Sequence, residues 1–310
     1  MELVTDVQSS AGEVKRCIGS YGSAPEHNFA YFLSRTELGG VSLYIKSGEY
    51  GLLAAYRPRV AEVMLISLPL APASEHARLT VEAARLCFDS LGCRKFVVEQ
   101  VLALRKQSLP LFRSAGFRDL PPRCVFHWPE FNLAEWDGDV LQGERWKDIR
   151  NIKNRFYRQH SVQVVDSSSL PKDALRQVVA EWAAGRRNNS DGANREDSNF
   201  AYVEPYYRLI DAGFAGVAHA KTLVVDGVPS SITAGWDIPN SDRGYYSAIG
   251  VCSYRFDGLA EVASMEDLVM LKAAGYRLVD FGGSSKALLK FKMKLRPTSL
   301  YKTIVYAVSR

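Results

Sequence analysis

Cysteine is scarce in this chain, and the few that occur form no pattern. Cys17, Cys87, Cys93, Cys124 and Cys252 are odd in number and include no C-x-x-C pair, which argues against a disulfide framework and a zinc site. The histidines, His27, His76, His127, His160 and His219, show no spacing suited to a metal or a catalytic dyad. A G-x-S-x-G elbow is absent, so a serine nucleophile has little support. No apolar run approaches the roughly 20 residues that cross a bilayer. The N-terminus, Met1 to Asp6, lacks the basic-then-apolar order of a secretory leader. These absences predict a reduced, soluble, cytoplasmic protein.

A hydrophobic fraction of 47% and a charged fraction of 24% over 310 residues suit one large globular domain or two ordinary ones. The net charge of +5 is mild, but its placement is uneven. Basic runs span Arg145 to Arg158 and Lys286 to Lys302. Such runs are either solvated helix faces or phosphate-binding surfaces.

Periodicity divides the chain into two similar successions. In the first, Val41 to Lys46 and Gly51 to Tyr56 read as a strand pair, and Val60 to Leu68 as a buried strand. A helix capped by Ser74 runs to Leu91, Lys95 to Glu99 is a strand, and a short helix opens at Ser108 and ends at Gly116. Arg123 to Trp128 closes this unit as a strand. In the second, helices over Lys172 to Arg187 and Glu204 to Ala212 precede strands Lys221 to Val225 and Val228 to Trp236, which flank the turn pair Asp226-Gly227. The strand Gly244 to Gly250, a helix capped by Asp257 and ended by Gly275, and the strand Leu278 to Phe281 follow. A helix from Ser285 to Leu295 and the strand Tyr301 to Val308 complete it. This order predicts a mixed α/β (α+β) fold of two acetyltransferase-like (GNAT-like) units, each a mostly antiparallel sheet flanked by helices. The expected division is 1–130 as a scaffold unit, 131–160 as linker and basic helix, and 161–310 as the catalytic unit. The polar stretch Asn188 to Asn199 reads as a mobile loop of a length often used as a lid.

That fold usually holds the pyrophosphate of coenzyme A on backbone amides of a glycine-rich loop at a helix start. Leu68 to Ser74 has two prolines and no glycine, and Val251 to Gly258 has one glycine behind an aspartate. Prolines remove amide donors and the carboxylate repels phosphate, so neither stretch suits coenzyme A.

Three stretches of the second half, Trp146 to Phe156 (WKDIRNIKNRF), Val279 to Ser284 (VDFGGS) and Leu288 to Pro297 (LLKFKMKLRP), carry a resemblance. Together they resemble the C-terminal catalytic domain of phosphatidylglycerol lysyltransferases and their soluble relatives. The chain is more distantly similar to the Fem transferases that build peptidoglycan cross-bridges. The resemblance implies tandem acetyltransferase-like folds and an acyl group taken from aminoacyl-tRNA. Two departures qualify it. The membrane-embedded portion of many lysyltransferases has no counterpart here, so a phospholipid acceptor is not implied. The strand Tyr245 to Gly250 carries none of the acidic and arginine residues that lysyltransferases have there, which leaves the transferred amino acid open.

Lys292 is the leading catalytic candidate. Lys286, Lys290 and Lys294 recur at i, i+4, i+8 on one helix face, whereas Lys292 projects between Leu288 and Leu289 on the apolar side. A lysine facing a core is costly unless it is paired or used. The resemblance implies the same residue, because Phe291-Lys292 matches the families' Phe-Lys motif, whose lysine sits beside the acyl ester. Snorkelling to the surface is the plainer alternative. Asp280, Gly282 and Ser284 follow a buried strand, where Gly282-Gly283 permits close approach by a ligand or makes a tight turn around Asp280. Arg150, Asn151, Asn154 and Arg155 share one helix and could grip phosphate or ribose, as could Lys290 and Arg296; the alternative is a solvated linker helix. Tyr246 could line a pocket or simply pack.

The expected activity is direct attack by an acceptor amine or hydroxyl on the ester of a charged tRNA. No cofactor or metal is expected; aminoacyl-tRNA is the co-substrate. The acceptor is a small molecule, a peptidoglycan precursor or a lipid head group. An acyltransferase using coenzyme A or an acyl carrier protein, and a binding module without chemistry, are the alternatives.

Overall fold

A computed structural model describes residues 1–35, 40–189 and 203–310. The first half holds β1 (Glu2–Val4), α1 (Ala11–Tyr21), α2 (Phe29–Arg35), β2 (Val41–Ser47), β3 (Tyr50–Arg57) and β4 (Glu62–Leu65). It continues with α3 (His76–Leu91), β5 (Lys95–Val101), α4 (Leu102–Ser114), β6 (Arg118–Asp119) and β7 (Cys124–Asn132). The basic helix α5 (Lys147–Gln159) leads into β8 (Val162–Asp166), α6 (Lys172–Asn189), α7 (Glu204–Asp211), β9 (Ala218–Val225) and β10 (Val228–Asp237). The last elements are β11 (Gly244–Cys252), α8 (Leu259–Ala273), β12 (Leu278–Asp280), α9 (Lys286–Met293) and β13 (Ser299–Ser309).

The strands form one sheet in the order β1-β2-β3-β4-β5-β13-β7-β12-β11-β10-β9-β8, with β6 beside β13. Only β4/β5 and β11/β12 pair in parallel among the described strands. Each half therefore repeats the mixed, mostly antiparallel arrangement read from the sequence. The halves also exchange strands. β13 pairs with β5 over Thr303–Val308, and β7 pairs with β12 over Glu130–Asn132. β7 and β13 pair with each other at the centre of the sheet.

Apolar faces seat the helices. α3 and α4 cover one sheet face over Leu52, Val63, Phe96 and Tyr306, while α1 and α2 cover the other over Tyr44 and Leu53. In the second half α8 packs on Tyr245, Val279 and Leu223, and α6 and α7 pack on Ile232, Ala234 and Val251. Asp226 and Gly227 take positive φ values of 51° and 81°, as a tight hairpin requires.

Several local expectations need correction. α8 is preceded by Gly258 at φ 86° with no side-chain cap, and Asp257 instead pairs with Arg155 at 2.6 Å. Ser74 lies in a 3-10 turn ahead of α3 and does not cap it. α4 starts at Leu102 and not at Ser108, because Pro110 is accommodated inside the helix at the loss of one amide donor. β1, α1, α2 and β8 were not anticipated. Apart from Asn188 and Asn189 at the end of α6, the polar loop lies outside the described residues.

Candidate active site

β11 and β12 pair over three rows only, ending at Tyr246 opposite Asp280. Beyond that row β11 continues to Cys252 while Phe281 stays bonded to Pro129 of β7, so the two strands part as a wedge between Ser247 and Phe281. Side chains alternate across the sheet, which puts Tyr245, Ser247, Val279 and Phe281 on the α8 side and Tyr246 and Asp280 on the other.

Lys292 is fixed at this wedge. It is 8% exposed, and its Nζ donates to the carbonyls of Phe281 and Gly282. Lys286, Lys290 and Lys294 are exposed, so the helix divides its lysines as their periodicity predicts. Leu288, by contrast, is 41% exposed and is no partner in Lys292's burial. Burial pushes the Lys292 ammonium down to about 8, against the opposing pull of Asp280.

Asp280 is 1% exposed. Its Oδ1 accepts the Gly282 N–H at 2.6 Å and its Oδ2 accepts the Tyr301 hydroxyl at 2.8 Å. Burial raises its acid to about 6, although both donors favour the carboxylate. The Tyr301 phenol is pushed well above its usual range by burial and by Asp280, so it stays a donor. Its ring stacks on Trp128 at 5.6 Å and 13°. Trp128, Trp236, Tyr246 and the half-buried Tyr31 continue the aromatic wall on this side.

The glycine pair does not open toward a ligand. A Cβ on Gly282 would meet the Tyr246 hydroxyl at 3.0 Å, and one on Gly283 would meet the Trp128 ring at 3.0 Å. The small residues let the turn lie flat against these rings. Ser284 is fully buried; its hydroxyl donates to the Gly282 carbonyl and its backbone bridges to His127. Lys292, Asp280, Gly282, Ser284 and Tyr246 thus form one buried cluster.

The remaining predicted residues lie outside it, three of them along a basic groove. Between α5 and α9 runs a groove of about 630 Å³ with Arg145, Asp148, Asn151, Lys290, Lys294 and Arg296 on its walls, basic on balance. Ile149, Ile152 and Met293 form its apolar part. Asn154 and Arg155 line an adjoining surface hollow with Asn151 and Arg158. Arg150 does not face the groove: its Nη1 donates to the carbonyls of Leu141 at 2.7 Å and Gly143 at 3.2 Å, holding the linker. Arg155 is shared with Asp257 and Lys294 with Glu261, whereas Lys290 stands exposed. Tyr301 and Trp128 drew no notice in the sequence, since neither sits in a motif and their partners are far away in the chain.

The two helix starts that lack a glycine-rich loop are closely packed. A Cβ on Gly258 would stand 2.8 Å from Ile152, so α5 covers the start of α8. At α3 the buried His76 ring contacts the Ala71 carbonyl, tightening the proline-bearing loop. Among the described residues no group of three or more His, Cys, Asp and Glu could hold a metal, and no helix is long and apolar enough to cross a membrane.

No family model and no curated protein matches the chain. Solved structures do. The C-terminal domain of a candidate lysylphosphatidylglycerol synthetase from Agrobacterium fabrum matches with a TM-score of 0.63 at 16% identity, covering 97% of this chain and 92% of that one. A tandem GNAT protein from the clavulanic acid biosynthesis pathway matches at 0.54 and 13% identity, over 99% and 98%. FemX matches at 0.50 and 12% identity, over 98% and 97%. Identities this low speak for the fold, which is shared over nearly the whole length of the chain. The chain has the tandem acetyltransferase-like fold found in lysylphosphatidylglycerol synthetase and FemX structures.

Proposed function

We propose that the chain is an aminoacyl-tRNA-dependent aminoacyltransferase, with residues 161–310 carrying the chemistry and the first half acting as scaffold. The observation that carries this reading is the buried Lys292 at the open wedge, on the helix that forms one wall of the basic groove. Arg145, Lys290 and Arg296 would hold the phosphates of the tRNA acceptor end, and Asn151 would hydrogen-bond ribose or phosphate. The covered start of α8 disfavours coenzyme A as donor, and no other cofactor is invoked. The acceptor, approaching from the Asp280 side, is an amine or hydroxyl of a small molecule, a peptidoglycan precursor or a lipid head group.

In this mechanism the acceptor attacks the ester carbonyl and the carbonyl oxygen becomes an oxyanion. Lys292, an ammonium below about pH 8, donates to that oxyanion. The intermediate collapses with loss of the tRNA terminal hydroxyl, and the acceptor's proton leaves with solvent or the departing ribose oxygen. Asp280, ionised above about pH 6, offsets the buried positive charge and so keeps Lys292 protonated. The test is transfer from tRNA charged with radiolabelled amino acids into a cell extract, with and without ribonuclease. Ribonuclease-sensitive labelling that disappears with Lys292→Ala supports the reading. Acyl transfer from coenzyme A that survives ribonuclease, with no movement of label from tRNA, overturns it.

A further inference from the structure

The wedge has a second lip that the reaction above does not use. Ser247 is the first β11 residue beyond the last row paired with β12. Its half-buried hydroxyl donates to Oδ2 of Asp267 at 2.9 Å. Asp267 lies on the sheet-facing side of α8 and is 2% exposed. The groups that bear on its ionisation are hydroxyls, from Ser247 and Thr233, and no cation is among them. Thr233, 4% exposed on β10, brings its hydroxyl near the carboxylate without closing a hydrogen bond. Ser231, fully buried two residues earlier on the same strand face, has a hydroxyl that is likewise unpartnered among the described residues. A buried carboxylate without a counter-charge, beside the unsatisfied Thr233 hydroxyl, is costly as it stands. An ammonium group satisfies both, since it brings a positive charge and three donors.

We propose that Asp267, Ser247 and Thr233 form the subsite for an ammonium group of the transferred amino acid. This rests on the aminoacyl reading of the wedge. Lys292 is anchored on the Phe281 and Gly282 carbonyls at one lip, and Ser247 with Asp267 forms the other. Paired strands stand about 4.8 Å apart, so in this proposal an amino acid with its carbonyl at Lys292 reaches across the gap with its ammonium. The ammonium comes either from the α-amino group or from a lysine-like side chain.

Stable 3′-aminoacylamido-adenosines, which mimic the charged tRNA end, separate the two sources. An alanyl probe carries only the α-ammonium, an Nα-acetyl-lysyl probe only the side-chain ammonium, and an Nα-acetyl-alanyl probe neither. Calorimetry on the full chain should show one ammonium-bearing probe binding at least about tenfold tighter than the last. Asp267→Asn should erase that preference and Ser247→Ala should reduce it, with thermal unfolding to confirm that each variant is folded. If no probe is preferred, or the preference persists in folded Asp267→Asn, the subsite is wrong; should Asp267→Asn not fold, Ser247→Ala decides in the same way. A parallel transfer assay tells the two ideas apart. Ammonium-dependent binding without movement of label from charged tRNA sinks the reaction and keeps the subsite. Transfer that proceeds with unchanged amino-acid preference in Asp267→Asn sinks the subsite and keeps the reaction.

Discussion

Replacing Lys292 with methionine should remove activity while costing little or no stability at neutral pH. A fall in the Lys292 pKa from 10.5 to about 8 corresponds to a folding penalty of about 3 kcal/mol for holding the ammonium in the interior. Methionine escapes that penalty but leaves the Phe281 carbonyl without its donor, at about 1–3 kcal/mol. The Gly282 carbonyl keeps the Ser284 hydroxyl. The net expectation at pH 7 lies between no change and a gain of about 2 kcal/mol. The pH dependence is the sharper signature. Between the folded pKa near 8 and the unfolded value of 10.5 the unfolded chain holds more protons, so raising pH stabilises the wild type. Below the folded value the penalty is present in full. Urea unfolding of both proteins from pH 6.5 to 10.5 measures this, and their difference cancels the other titrating groups. The wild type should gain about 3 kcal/mol on Lys292→Met across that range. A difference that stays flat, or a methionine variant several kcal/mol less stable at pH 7, would refute the reasoning.

Transfer should fall above about pH 8 as Lys292 loses its proton, and Asp280→Asn, which removes the charge that helps hold that proton, should move this limb to lower pH; initial rates across pH test it. Tyr301→Phe takes one donor from the Asp280 carboxylate and should push its acid further above the usual carboxylate range, read by NMR titration of the carboxyl carbon, while leaving the alkaline limb of the rate nearly in place. Lys290→Glu and Arg296→Glu should weaken tRNA binding and flatten its salt dependence, measured by filter binding at several ionic strengths. Gly258→Ala forces a Cβ to 2.8 Å from Ile152 at φ 86° and should cost about 1–3 kcal/mol in unfolding experiments.

What could be read in advance was what local patterning records. The 3.6-residue period of α9 placed Lys292 inward and three neighbouring lysines outward, and the tolerance of Asp and Gly for positive φ marked the 226–227 turn. The parallel pairing of β11 with β12 follows from a strand, a helix and a strand in succession. What escaped notice depends on distant partners. Tyr301 meets Asp280 only because β13 lies beside β7, a neighbour about 170 residues earlier, and no period encodes that. Arg150 stayed open between a phosphate ligand and a solvated helix face because composition cannot tell which carbonyls a guanidinium reaches. At Gly282 and Gly283 ligand approach and a tight turn stayed open together, because a missing Cβ reads the same whether an aromatic ring or a substrate fills the space.

The crosswise placement of β7 and β13 bears on how the chain is made. The first half cannot close its sheet beside β5 until residues 299–309 exist, because Thr303–Val308 supply the partner of Phe96–Val101. While the ribosome is still adding the intervening two hundred or so residues, that flank of β5 is exposed. Pairings so remote in sequence close slowly, so the half-made protein is exposed to aggregation for longer than a chain of two self-contained units. It also means that neither half, expressed alone, would present the neighbour its terminal strand was shaped to meet.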